Sequence, residues 1–182
     1  MNGAPLFGFA LAGPPARRFL IRFAVLAVVL LAIYYFPYAD RSLVSRFLDR
    51  YLHAYAVVSG AVLRIFEPDV RVVHTQIIGR YSLRLIKTCD AMDVSTLFVS
   101  AIVAWPSGWR RRLVAAAAGV ALLFVFNVAR ICSLYFVGMR SPSWFELVHL
   151  ELWPIVLLIV AVGAFVAATR WMAARDDHHA AA

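Results

Sequence analysis

The sequence predicts an all-α polytopic membrane protein folded as a single membrane domain over residues 1–182, with about four transmembrane helices. Three observations carry this. The chain is 63% hydrophobic and only 15% charged, with a mean hydropathy of +0.79, a balance no ordinary soluble domain keeps. Its apolar residues come in blocks near the roughly 20 residues of helix that cross about 30 Å of hydrocarbon. Arginines stand at the ends of those blocks, at positions 17 and 18, 110 to 112, and 170, as the positive-inside bias of cytoplasmic loops requires.

The first span is expected over 19–38, where "FLIRFAVLAVVLLAIYYFPY" follows Arg17 and Arg18. The same stretch has the look of an export signal, but bulky aromatics rather than a small-residue cleavage site follow its apolar core, so an uncleaved anchor is the reading. Over 46–66 the pattern changes. Arg46, Asp49, Arg50, His53, Gly60 and Arg64 fall on one stripe, with Phe47, Tyr51, Tyr55, Val58, Val62 and Ile65 on another. That is an amphipathic helix suited to the extracytoplasmic interface; a five-span alternative would have residues 51–66 cross. Over 70–86, Tyr81, Leu83 and Leu85 alternate with Arg80, Ser82 and Arg84 beyond Gly79, which reads as a short β-hairpin turning at the glycine. Three further spans, Asp90 to Pro106, Leu113 to Val137 and Leu150 to Thr169, make up a core over 90–169. With four spans both chain ends lie in the cytoplasm and residues 39–89 lie outside.

A net charge of +8, from 18 basic against ten acidic side chains, could suggest nucleic acid. The basic residues are instead scattered over separate segments, as topology signals and lipid-headgroup contacts are. Cys89 and Cys132 are too few for a disulfide framework and form no Cys-x-x-Cys pair. The tail residues Asp176, Asp177, His178 and His179 read as a solvated end rather than a metal site, and no metal or cofactor is expected.

Depth can be counted from the cytoplasmic arginines at about 1.5 Å per helical residue. Arg110 to Cys89, Arg112 to Arg130 and Arg170 to His149 each correspond to roughly 27 to 32 Å. A thiol, a guanidinium and an imidazole from three consecutive helices therefore fall near one plane at the outer edge of the bilayer. An arginine in an apolar span costs about 2.5 kcal/mol or more unless it is used or snorkels. The three types form a chemical set. Cys89, beside Lys87 and at a helix N-terminus, is the candidate nucleophile, although Asp90 and Asp93 oppose its ionisation. His149 is the candidate general acid and base, and Arg130 the candidate stabiliser of an oxyanion. Asn127, one turn before Arg130, supports it. Glu146, one turn before His149, either orients the imidazole or serves as the capping-box partner of Ser143. Cys132 points away from Arg130 around the helix and reads as a packed thiol.

These residues resemble a known family. A cysteine opening a span, "FNVARI" with Asn127 and Arg130, and "FELVHLELWP" with His149 are similar to the exosortase and archaeosortase family of membrane cysteine transpeptidases, most of all its small exosortase H branch. The resemblance covers roughly 83–160 and places the family's catalytic residues on Cys89, Arg130 and His149. Many members carry small residues such as Ser-Gly after the cysteine, where Asp90 and Ala91 stand here. The resemblance implies an enzyme of the inner (cytoplasmic) membrane with its site at the extracytoplasmic face. It implies, as partners besides the lipid bilayer, exported proteins ending in a sorting signal made of a short motif, a transmembrane helix and a basic cluster. Cleavage at the motif would pass the product to an acceptor nucleophile whose identity the sequence does not name. Two other classes stand beside this one: a non-catalytic membrane assembly or transport subunit, which predicts that Cys89→Ser is harmless, and a membrane thiol oxidoreductase, against which the cysteine spacing argues.

Overall fold

The computed structural model describes residues 14–38, 42–87 and 91–180. Helix α1 (Pro14–Tyr35) stops just ahead of Pro37. Helix α2 (Leu43–Arg64) is capped by Ser42, whose Oγ accepts from the Ser45 N–H at 3.0 Å. Strands β1 (Arg71–Val73), β2 (Gln76–Ile78) and β3 (Ser82–Arg84) form an antiparallel meander in the order β1-β2-β3. Helix α3 (Met92–Ala104) leads through Trp105 and Pro106 to α4 (Trp109–Arg140). Helix α5 (Pro142–Leu147), a π-helical segment (Val148–Leu152) and α6 (Trp153–Ala180) follow without a break.

Among the described residues, three helices are long and apolar enough to cross a membrane: α1, α4 and the run Pro142–Ala174. The fourth expected span, over 90–106, contains α3, which has 13 residues and rises only about 20 Å. Trp105 is already extended and Pro106 follows, so the helix cannot continue. The expected hairpin is a three-stranded sheet. β2 and β3 turn around Gly79 as the alternation requires, and β1 adds a strand too short for periodicity to register. Gly79 serves by its size and not by a positive φ: a Cβ there would collide with the Tyr135 hydroxyl.

Helix α2 has three faces where the sequence suggested two. Leu48, Leu52, Tyr55, Ala56, Ser59, Gly60 and Leu63 are buried against α4 and the sheet. Leu43, Phe47, Val58 and Ile65 are exposed on another face, with the charged residues between. Gly60 belongs to the buried face rather than the polar stripe, because a side chain there would strike Val72 of β1. α2 is not among the helices apolar enough to span.

Two cores share α4. Its first half packs Ala115, Ala116 and Leu123 with Phe98 and Ile102 of α3 and Ala161 and Met172 of α6. Its second half packs Val128, Ile131, Cys132 and Tyr135 with Tyr55 and Leu63 of α2 and Ile77 and Leu83 of the sheet. Leu20, Val25, Val28 and Ile33 of α1, Val125 of α4, and Ile155, Ile159 and Val162 of α6 are exposed, the outward apolar surface a bilayer would cover.

Candidate functional site

Arg130 is placed by the length of α4. The helix has 32 residues, about 48 Å of rise against about 30 Å of hydrocarbon. Counted from the Arg110 to Arg112 cluster, Arg130 comes where the hydrocarbon ends. Its side chain is 5% exposed and Asn127, one turn earlier, is 0%, so this turn of the helix is polar and inside the protein. Such a group persists in an apolar bundle only with hydrogen-bonding partners at hand.

The partner comes from the third long helix. Arg130 Nη2 donates to the main-chain oxygen of His149 at 3.5 Å, a long bond strengthened by the donor's charge. A second tie runs back along the same interface. The Trp153 indole Nε1 donates to Ser133 Oγ at 2.9 Å, and Ser133 Oγ donates to the Arg130 carbonyl at 2.8 Å. The imidazole of His149 is half-buried and lies 5.5 Å, ring to ring, from Phe145. Phe145 packs on Tyr81 and Tyr81 on Tyr135, each at 6.1 Å. The β2–β3 turn thus rests on the helical segment that carries His149.

That turn has an anchor the sequence reading missed. Glu67 is buried; its carboxylate accepts from the Tyr135 hydroxyl at 2.8 Å and from the Arg80 N–H at 2.9 Å, with Arg80 Nε 3.6 Å away. Two acceptor oxygens meet two donors and a cation, which is how a buried carboxylate is stabilised. In the sequence Glu67 is one acid in a loop, and nothing local marks it as buried.

Cys89 lies outside the described residues, but the residues on either side of it are held by α1. Tyr34 donates its hydroxyl to the Lys87 carbonyl at 3.0 Å, and Tyr35 donates to Asp93 Oδ1 at 2.7 Å. Ala91, which caps α3, has φ 54°, in the left-handed region that favours glycine. The depth count placing Cys89 level with Arg130 assumed unbroken helix from Arg110; residues 105 to 108 are not helical. The corresponding counts for Arg130 and His149 each run along continuous helix.

Glu146 is exposed and is not a capping-box partner of Ser143: the cap of α5 is Ser141, and Ser143 lies within the helix because Pro142 takes its first position. Cys132 is buried beneath α2, its thiol 3.7 Å from the Ser59 carbonyl. The structure therefore brings together Arg130, Asn127 and the His149 segment, and turns Cys132 away from them.

Neither a curated protein nor a solved structure matches this chain. A model of the transmembrane exosortases matches residues 6–152, most of the sequence and a stretch that contains Cys89, Asn127, Arg130, Glu146 and His149; the chain belongs to the transmembrane exosortase family.

Proposed function

We propose that this exosortase is a membrane cysteine transpeptidase that cleaves C-terminal sorting signals of exported proteins at the outer face of the inner membrane. The observation that carries the reading is the meeting of a buried arginine on α4 with the main chain of His149 on the neighbouring long helix. A cation fixed in a poorly hydrated place beside an imidazole is what an acyl-transfer site needs.

In the proposed reaction His149 takes the Cys89 thiol proton and the sulfur attacks the carbonyl carbon of the scissile peptide. The negative charge that develops on the oxygen is met by the Arg130 guanidinium, whose planar fork of donors suits an oxyanion. Collapse of the tetrahedral intermediate breaks the C–N bond. His149 protonates the departing amine, which leaves with the substrate's transmembrane helix and basic cluster. The remaining thioester on Cys89 is attacked by an acceptor amine or by water, and the thiol is regenerated. β3 is one of the two edge strands of the sheet and begins beside Tyr81, which packs towards the His149 segment. An extended cleavage motif added there as a further strand would lie across the site. No cofactor takes part.

Co-expression with an exported substrate bearing such a signal tests the reading. Cys89→Ala, His149→Ala and Arg130→Ala should each abolish processing with the enzyme still inserted, whereas Cys132→Ala should process normally. Full processing by Cys89→Ala would overturn the assignment.

A further inference from the structure

The helix that carries His149 contains a proline in its interior. Pro142–Ala174 is one continuous run of helix, yet Pro154 stands well inside it. In α-helical register a proline at 154 would press its ring on the carbonyl of residue 150 and leave that carbonyl without its donor. The chain takes another register. Residues Val148–Leu152 are π-helical, and the Trp153 N–H reaches back five residues to the Val148 carbonyl. One step on in that register, the donor facing the His149 carbonyl would be the N–H of residue 154, and proline has none. The carbonyl accepts instead from Arg130 Nη2 across the helix interface. π-turns inside long helices recur at functional sites because they re-aim the groups they carry, and here the cause is a single residue just outside the stretch that matches the family.

We propose that Pro154 is a positioning residue: by withholding one main-chain donor it keeps the His149 segment π-wound and gives the His149 carbonyl to Arg130, so that guanidinium and imidazole are held in one frame. The Trp153–Ser133–Arg130 chain of hydrogen bonds closes that frame from the other side. The proposal rests on the reading of Arg130 and His149 as site residues for its effect on rate, but its structural core does not depend on turnover.

Two substitutions separate the missing N–H from the ring. Pro154→Ala supplies a donor and favours α-helix, so the protein should insert and fold at least as well. Placing the α-hydroxy analogue of alanine at 154 by nonsense suppression removes the ring while still supplying no N–H. In bilayers, carbonyl-13C histidine and guanidino-15N arginine report the contact by magic-angle NMR dephasing, the signal being assigned by its disappearance in Arg130→Lys. The contact should persist in the natural protein and the ester variant and vanish in Pro154→Ala. Processing in Pro154→Ala should fall on the order of ten- to a hundredfold. It should be retained in the ester variant, and Pro154→Ala should add little loss to Arg130→Lys. An undiminished contact in Pro154→Ala, or an ester variant as impaired as Pro154→Ala, would overturn the proposal. If the contact follows the donor at 154 but no protein processes substrate, the transpeptidase reading fails and this one stands.

Discussion

The two halves of α4 are built on different packing rules, and the candidate site lies where they meet. The half that follows Trp109 presents Ala115, Ala116 and Gly119 to α3 and α6. Gly119 is close enough to Phe98 that a methyl group would overlap the ring. Small residues that admit a neighbour closely are how helices associate in lipid, where apolar surface gains nothing by leaving the solvent. The half that ends at Arg140 presents Ile131, Tyr135 and Gly138 to α2 and the sheet, around a buried carboxylate with its donors. That is the interior of a water-soluble fold, where large side chains and a satisfied polar network specify one arrangement. Asn127 and Arg130 stand at the change from one rule to the other, both of them buried.

The sharpest way to break this comparison is to keep the charge at the junction and change its shape. Arg130→Lys should lower substrate processing by about a hundredfold or more with unchanged membrane abundance. A lysine enzyme of near-normal rate would show that the position serves only as a cation facing lipid phosphate. Next in size is Gly119→Ala, expected to cost about 1–3 kcal/mol by overpacking against Phe98. Unfolding followed in bilayers should show much of that loss recovered in Gly119→Ala/Phe98→Leu. Equal losses in the single and double variants would mean that close approach of α3 is not what the glycine provides.

In the other half, Tyr135→Phe removes a donor from the Glu67 carboxylate and should cost about 1–3 kcal/mol. The loss should concentrate in the sheet, seen as faster amide exchange at Ile77 and Leu83 while exchange in α3 is unchanged. Exchange that rises equally in both halves would make α4 one cooperative unit. The smallest effect is expected at Ala91. Glycine there relieves about 1–2 kcal/mol of left-handed strain against about 0.5–1 kcal/mol of added backbone freedom in the unfolded chain. Ala91→Gly should therefore raise stability by at most about 1.5 kcal/mol, and a clear loss of stability would mean that the φ of 54° is not a strained one.

Much of this was legible residue by residue. The long apolar blocks announce α1, α4 and α6 because a segment that faces lipid must be apolar along its length and satisfy its own backbone. Arg130 and His149 could be placed at one level because rise per residue is constant along a helix. The same arithmetic failed for the stretch before Arg110, since Pro106 interrupts the helix and a loop has no fixed rise. The faces of α2 were misread for a related reason: a side chain that meets lipid and one that meets protein are both apolar, and only the position of α4 and β1 separates them.

By itself the sequence determined that the chain is a multi-helix membrane protein, that its arginines order the helix ends, and that a polar turn interrupts α4 at residues 127 to 130. These follow from composition and period, which act locally. It takes the packed fold to show that Glu67 is buried beneath Tyr135, that Tyr34 and Tyr35 bond Lys87 and Asp93 on either side of Cys89, and that Arg130 bonds the main chain of His149. Each of those contacts joins residues far apart in the chain. A hydrogen bond requires its two groups within about 3.5 Å of each other, a condition that the packing of several helices satisfies jointly and that no single segment encodes.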